Sequence, residues 1–129
     1  MATIERFEDI EAWKKARELT REIYAVSRQA AFAKDFGLKD QIRRAAVSIM
    51  SNIAKGFERG GDKEFAQFIV LAKGSSAEVR SQLYVALDEG YIDQDTFERL
   101  SRATLEINWM LMGLMKYLRN SEYKGSKFR

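Results

Sequence analysis

The chain contains no cysteine, no proline and no histidine. Without cysteine it can form neither a disulfide nor a thiolate metal site, and a reducing, cytoplasmic location is expected. Without histidine it lacks the side chain that most often moves protons near neutral pH, and also the commonest metal ligand. A Glu-x-x-His metal motif is therefore impossible. No glycine-rich phosphate loop is present. No enzymatic activity, metal or cofactor is expected. Without proline nothing breaks a helical hydrogen-bond ladder, which favours long helices. The N-terminus, MATIERFEDIEAWKK, lacks the apolar segment of a signal peptide, and no run is long enough to span a membrane.

What is present is a chain of 129 residues, 46% hydrophobic and 32% charged. That balance predicts one folded, soluble domain over 1–129 with a proper core. The formal net charge is only +3. Its distribution is uneven: Lys116, Arg119, Lys124, Lys127 and Arg129 stand against Glu122 in the last 14 residues, so that segment carries +4 and the remainder −1.

Apolar residues recur at alternating steps of four and three, the helical period, and strand alternation is absent. Four helices are predicted, at about 9–30, 38–59, 62–89 and 93–118, followed by a basic tail over 119–129. The first buries Ala12, Ala16, Leu19, Ile23, Val26 and Ala30, with Asp9 as N-cap. A loop over 32–37 precedes the second helix, with Gly37 free to take unusual conformations. Gly60 and Gly61 stop the second helix, Asp62 caps the third, Gly90 closes it and Asp93 caps the fourth. The third buries Phe65, Phe68, Ala72, Ser76, Val79, Leu83 and Ala86. The fourth buries Phe97, Leu100, Thr104, Ile107, Leu111, Leu114 and Leu118, with Met110, Met112 and Met115 beside that stripe. Short connections between long helices predict an all-α, antiparallel, up-down-up-down four-helix bundle.

The second helix, LKDQIRRAAVSIMSNIAKGFER, is the most informative segment. Leu38, Ile42, Ala45, Ile49 and Gly56 form one apolar stripe, interrupted by Asn52. Ala46, Met50, Ile53 and Phe57 form a second. A surface helix usually needs one stripe, so the width predicts a second contact, with another subunit. Ile49, Met50, Ile53 and Phe57 are the candidate interface residues. Gly74 and Ser75 join them, because a mid-helix glycine costs about 1 kcal/mol relative to alanine and close approach of another backbone would offset it. Asn52 reads as a buried polar residue that sets register.

One edge of the second helix is cationic. Arg43, Arg44, Lys55 and Arg59, together with Lys124 and Lys127 of the tail, are candidates for contacting nucleic-acid phosphates, with Ser48 and Ser51 able to add hydrogen bonds. The competing reading is an ion-pair network with Asp40, Glu58 or Glu78, in which Arg44 packs against Glu78. Trp13, Tyr24, Phe57, Tyr84 and Trp109 could stack on bases, but aromatics at helical spacing belong more often to a core.

The segments FEDIEAWKKA, LTREIY, FGLKDQIRRAAVSIMSNIAKGFERG and KEFAQFIVLAKGSSAEVRSQL together resemble the four-helix-bundle family encoded by intervening sequences of bacterial large-subunit ribosomal RNA genes. The resemblance covers nearly the whole chain. It implies a bundle that assembles as a ring, a homopentamer. The accessory proteins of diversity-generating retroelements are distantly similar, and that similarity implies a basic ring that binds nucleic acid. Three places depart from the family pattern: Lys55 stands where glutamate is common, Phe32-Ala33 where Phe-Pro is common, and Arg80-Ser81 where an acid and threonine are common. The expectation is thus a non-enzymatic, ring-forming bundle that binds nucleic acid, RNA before DNA. The alternative is an assembly module whose partner is another protein.

Overall fold

The computed structural model describes residues 4–123 and contains no strand among them. A 3-10 turn at Phe7–Asp9 precedes five helices: α1 (Glu11–Ser27), α2 (Ala30–Lys34), α3 (Phe36–Glu58), α4 (Asp62–Asp88) and α5 (Gln94–Tyr123). The four long helices match the expected segments. Their ends are less well matched.

Asp9 does not cap α1. Its carboxylate accepts from the amides of Glu5 and Arg6, at 3.2 and 3.3 Å, and so closes the turn before the helix. α1 begins after Ile10, which offers no side-chain cap, and stops at Ser27, three residues short of Ala30. Ala30 instead carries a positive φ of 43° at the start of α2. The predicted loop over 32–37 is largely helical. Phe32 of α2 is fully buried and stacks on Tyr91, centroid to centroid 5.2 Å. Asp35 is the true N-cap of α3: it accepts from the Leu38 amide at 3.1 Å and from the Tyr91 hydroxyl at 2.9 Å. Gly37 lies inside the first turn of α3, with no unusual conformation. Asp35 was the signal in the sequence for this start, since aspartate satisfies orphan amides at a helix beginning.

Gly60 and Gly90 adopt φ of 86° and 76°, the left-handed region that lets a helix end and the chain reverse. Gly61, not Asp62, holds the cap position of α4. Asp62 is the first helical residue. It is buried, and neither carboxylate oxygen has a hydrogen-bond partner among the described residues. Asp93 caps α5 as expected. It accepts from the Thr96 amide at 2.8 Å, and that bond holds its carboxyl below the usual range. α5 runs on to Tyr123, past the expected end at Leu118.

Neighbouring helices run in opposite directions. Gln41 meets Gln82 and Ser48 meets Ser75, so numbers rise along α3 as they fall along α4. Ser76 and Tyr84 of α4 meet Thr104 and Phe97 of α5. Lys15 and Glu22 of α1 pair with Glu106 and Arg99 of α5. α3 packs against both α4 and α1.

Both stripes of α3 are therefore covered within one subunit. Gly56 meets α4, where an added Cβ would lie 2.7 Å from Phe68 Cβ. Ala46 meets α1, its carbonyl accepting from Thr20. Ile42, Ala45, Ala46, Ile49 and Ile53 lie in the core, almost wholly removed from solvent. Full burial of such an isoleucine contributes about 1.5–3 kcal/mol. Four stripe assignments shift. Ile69 replaces Phe68 in the core, Val26 and Leu114 are half-buried, and Ala30 is exposed.

Candidate nucleic-acid interface

The four candidate cations on α3 and at its C-cap fall into two pairs, Arg43 with Arg44 and Lys55 with Arg59. Arg43 is half-buried and turned back onto α1. Its Nε donates to the Ser27 hydroxyl at 2.8 Å, its Nη2 donates to the Tyr24 carbonyl at 3.3 Å, and its guanidinium lies 4.4 Å from the Tyr24 ring centroid. Ser27, fully buried, in turn donates to the Ile23 carbonyl. A cation satisfying the last carbonyls of a helix opposes its negative end, so Arg43 ends α1 and ties it to α3. Arg44 is exposed and pairs with Asp40 one turn earlier, at 2.9 Å. The expected contact with Glu78 does not form.

Lys55 and Arg59 are exposed, and both lie over the ring of Phe68, at 5.8 and 5.4 Å from its centroid. Neither has an ion-pair partner among the described residues. The half-buried Phe68 holds the two charges side by side on the surface. Ser48 contributes to packing rather than to this edge, accepting from Ser75 at 2.8 Å and from Asn52 at 3.0 Å. Asn52 also donates to the Ser48 carbonyl, so its burial is compensated within its own helix. Lys124 and Lys127 lie outside the described residues.

The candidate interface residues do not share a surface. Ile49 and Ile53 are fully buried inside the subunit and are corrected to core residues. Phe57 is half-buried and packs edge-on against Phe65. Met50 is half-buried and borders a groove beside α1. Ser75 is half-buried on Ser48. Gly74 is exposed, and a Cβ added there would meet nothing within 4 Å.

Two features escaped the sequence reading. The first is an apolar stripe on the outside of α5: Leu105, Trp109 and Met112 are exposed, Trp109 by 79%. Of the two readings open for Trp109, base stacking or the commoner core position, the core position does not hold. Its neighbours Ile107 and Leu111 take the buried positions, and the helical step carries Trp109 to the other side. On α4, Val70, Leu71 and Val85 are exposed as well. The second is an arginine face on α1. Arg17, Arg21 and Arg28 line an open groove of about 790 Å³ with Tyr24 and Met50. All three arginines are exposed, and none has an ion-pair partner among the described residues. Their spacing, i, i+4 and i+11, was the available signal for a single helical face.

A family model described as 23S rRNA-intervening sequence protein matches residues 8–113. The chain belongs to this family. The match spans α1 to α4 whole and reaches Gly113 of α5, so it contains the arginines of α1 as well as Arg43, Arg44, Lys55 and Arg59. A solved structure shares the fold. A protein of unknown function from the S23 ribosomal protein family of Bacteroides thetaiotaomicron, solved at 1.70 Å, aligns with a TM-score of 0.74. The alignment covers 81% of this chain and 98% of that one at 23% identity, a likeness of fold alone. No curated protein matches. Among the described residues no helix of this family member is long and apolar enough to cross a membrane.

Proposed function

We propose that this protein is a non-enzymatic, antiparallel four-helix bundle of the cytoplasm that self-associates and binds nucleic acid, RNA before DNA. The observation that carries the binding is a set of exposed cations: Arg17 and Arg21 of α1 with Arg28 at its C-cap, and Lys55 of α3 with Arg59 at its C-cap, none ion-paired among the described residues. Cations held in salt bridges have much of their field cancelled; these retain it for phosphates. The opposite directions of neighbouring helices support the bundle.

Self-association is supported by the outer stripe of Leu105, Trp109 and Met112, since a contiguous exposed apolar patch marks an interaction site. A ring of five is the assembly that the family resemblance implies. The same stripe would equally seat a different protein, the second reading.

Filter binding of labelled RNA at 50 mM salt tests the first part. No retention at micromolar protein would remove the nucleic-acid role, and a partner protein recovered from nuclease-treated lysate would favour the second reading. Sedimentation tests the association. The wild type should sediment as an oligomer and Leu105→Glu/Trp109→Glu as a folded monomer. A monomeric wild type at micromolar concentration would overturn it.

A further inference from the structure

Arg17, Arg21, Tyr24 and Arg28 follow one another on α1 at steps of four, three and four, spanning about 16 Å of helix. Their groove lies on the α1–α3 seam, with Met50 of α3 on its wall. A second hollow, lined by Phe36, Lys39, Asp40 and Arg43, opens at the start of α3. The two are joined by one contact, because Arg43 of the second stacks on Tyr24 of the first. Five cations thus lie in a row along a single seam. The acids beside them are largely engaged elsewhere. Asp40 is paired with Arg44, and Glu22 with Arg99. Glu18 remains on the wall of the groove and also borders a hollow lined by Arg99 and Arg102.

Two properties of the seam select among nucleic acids. Its charges form one file, whereas a duplex presents two phosphate rows separated by the width of a groove. It also carries aromatics that can meet unstacked bases. Phe36 is 72% exposed, with Lys39 over its ring at 4.9 Å. Tyr24 lies beneath Arg43, and its hydroxyl is engaged in none of the hydrogen bonds found among the described residues. Stacking on such rings requires bases whose faces are open, as in a single strand. Arg17 and Arg21, one turn apart, are about 6 Å apart along α1, comparable to the step between backbone phosphates, and Arg28 lies about 10.5 Å further on.

We infer that the α1–α3 seam is a track for one unpaired nucleic-acid strand, with Lys39, Arg28, Arg21 and Arg17 on its phosphates, Arg43 holding the seam together between them, and Phe36 and Tyr24 beside its bases. This assignment rests on the nucleic-acid reading above but is distinguishable from it. Thr20, although on the groove wall, is not a ligand donor, because its single hydroxyl hydrogen is already shared between the Ala16 and Ala46 carbonyls.

The test is fluorescence anisotropy with labelled oligouridine, oligothymidine and a mixed-sequence duplex, titrated from 50 to 200 mM salt. Four single-strand phosphate contacts give a slope of about −2.8 in log K against log salt, a loss of about 50-fold over that range. Arg17→Gln/Arg21→Gln/Arg28→Gln should retain the wild-type circular dichroism spectrum and reduce the slope by about 2. Lys55→Gln/Arg59→Gln should leave the slope within about 0.5 of wild type. If wild type binds but only the Lys55/Arg59 variant loses slope, the seam is overturned and nucleic-acid binding stands. Tighter binding of the duplex than of either single strand also overturns the seam. No binding of any probe removes the general reading and this one with it. Preference for oligouridine over oligothymidine would extend the track to the 2′-hydroxyl.

Discussion

At Gly56 α3 and α4 approach too closely to admit a side chain, and Gly56→Ala measures that approach. In an open helix the substitution would add about 1 kcal/mol of stability through helix propensity. Here the new methyl would stand 2.7 Å from Phe68 Cβ, 2.9 Å from Phe65 Cδ1 and 3.4 Å from the Phe65 carbonyl oxygen. Phe68 Cβ is fixed to its backbone, so rotating a side chain cannot relieve the contact and α4 must move. Overpacking of this kind costs about 1–3 kcal/mol, near its upper end when backbone must shift. The net expectation is a loss of about 1–2 kcal/mol, or about 4–8 °C in Tm for a chain of this size. Gly74→Ala is the internal control. It sits mid-helix with nothing within 4 Å, so it should raise Tm by about 4 °C. Thermal unfolding by circular dichroism, repeated at two protein concentrations to separate subunit effects, provides the measurement. A Gly56→Ala Tm equal to or above wild type would refute the packing argument. A Gly74→Ala variant that unfolds earlier, more so when dilute, would instead place another subunit over Gly74.

Two further outcomes are expected. Ile49→Asp puts a charge where no solvent reaches, and should cost more than about 4 kcal/mol and abolish cooperative unfolding; a sharp transition near wild type would contradict it. The hydrogen bond from Tyr91 to Asp35, followed by burial and the Asp35 and Glu89 charges, raises the Tyr91 pKa. Its stabilisation is therefore fully present below the ordinary tyrosine pKa of about 10 and is lost as pH rises through the higher folded value. Urea midpoints between pH 8 and 11.5 should fall more steeply for wild type than for Tyr91→Phe, and parallel curves would show that the bond has no such role.

The four long helices were legible because their apolar positions repeat at the helical period and glycine punctuates two of the three turns. The turn before α3 was not. Gly37 reads locally as a breaker, yet Asp35, fixed by Tyr91 from 56 positions away, starts the helix ahead of it. The candidate site was legible in part. Residue type alone marked Lys55 and Arg59 as cationic, and they remain exposed. Nothing local revealed that Arg43 turns onto the end of α1, or that Arg44 stays with Asp40 rather than Glu78. The α1 arginines were spaced on one face, but a face becomes a groove only when α3 supplies the opposite wall.

The order of residues determined the four long helices, the high helical content and the absence of histidine and thiol chemistry, since these follow from composition and from periods only a few residues long. Tertiary structure decided what the broad oily surface of α3 is for. Two stripes on one helix specify two contacts without saying whose, and here α1 and α4 of the same subunit supply both. Most of the exposed large apolar side chains lie on the outer sides of α4 and α5, because a helix can turn only part of its circumference toward its own core.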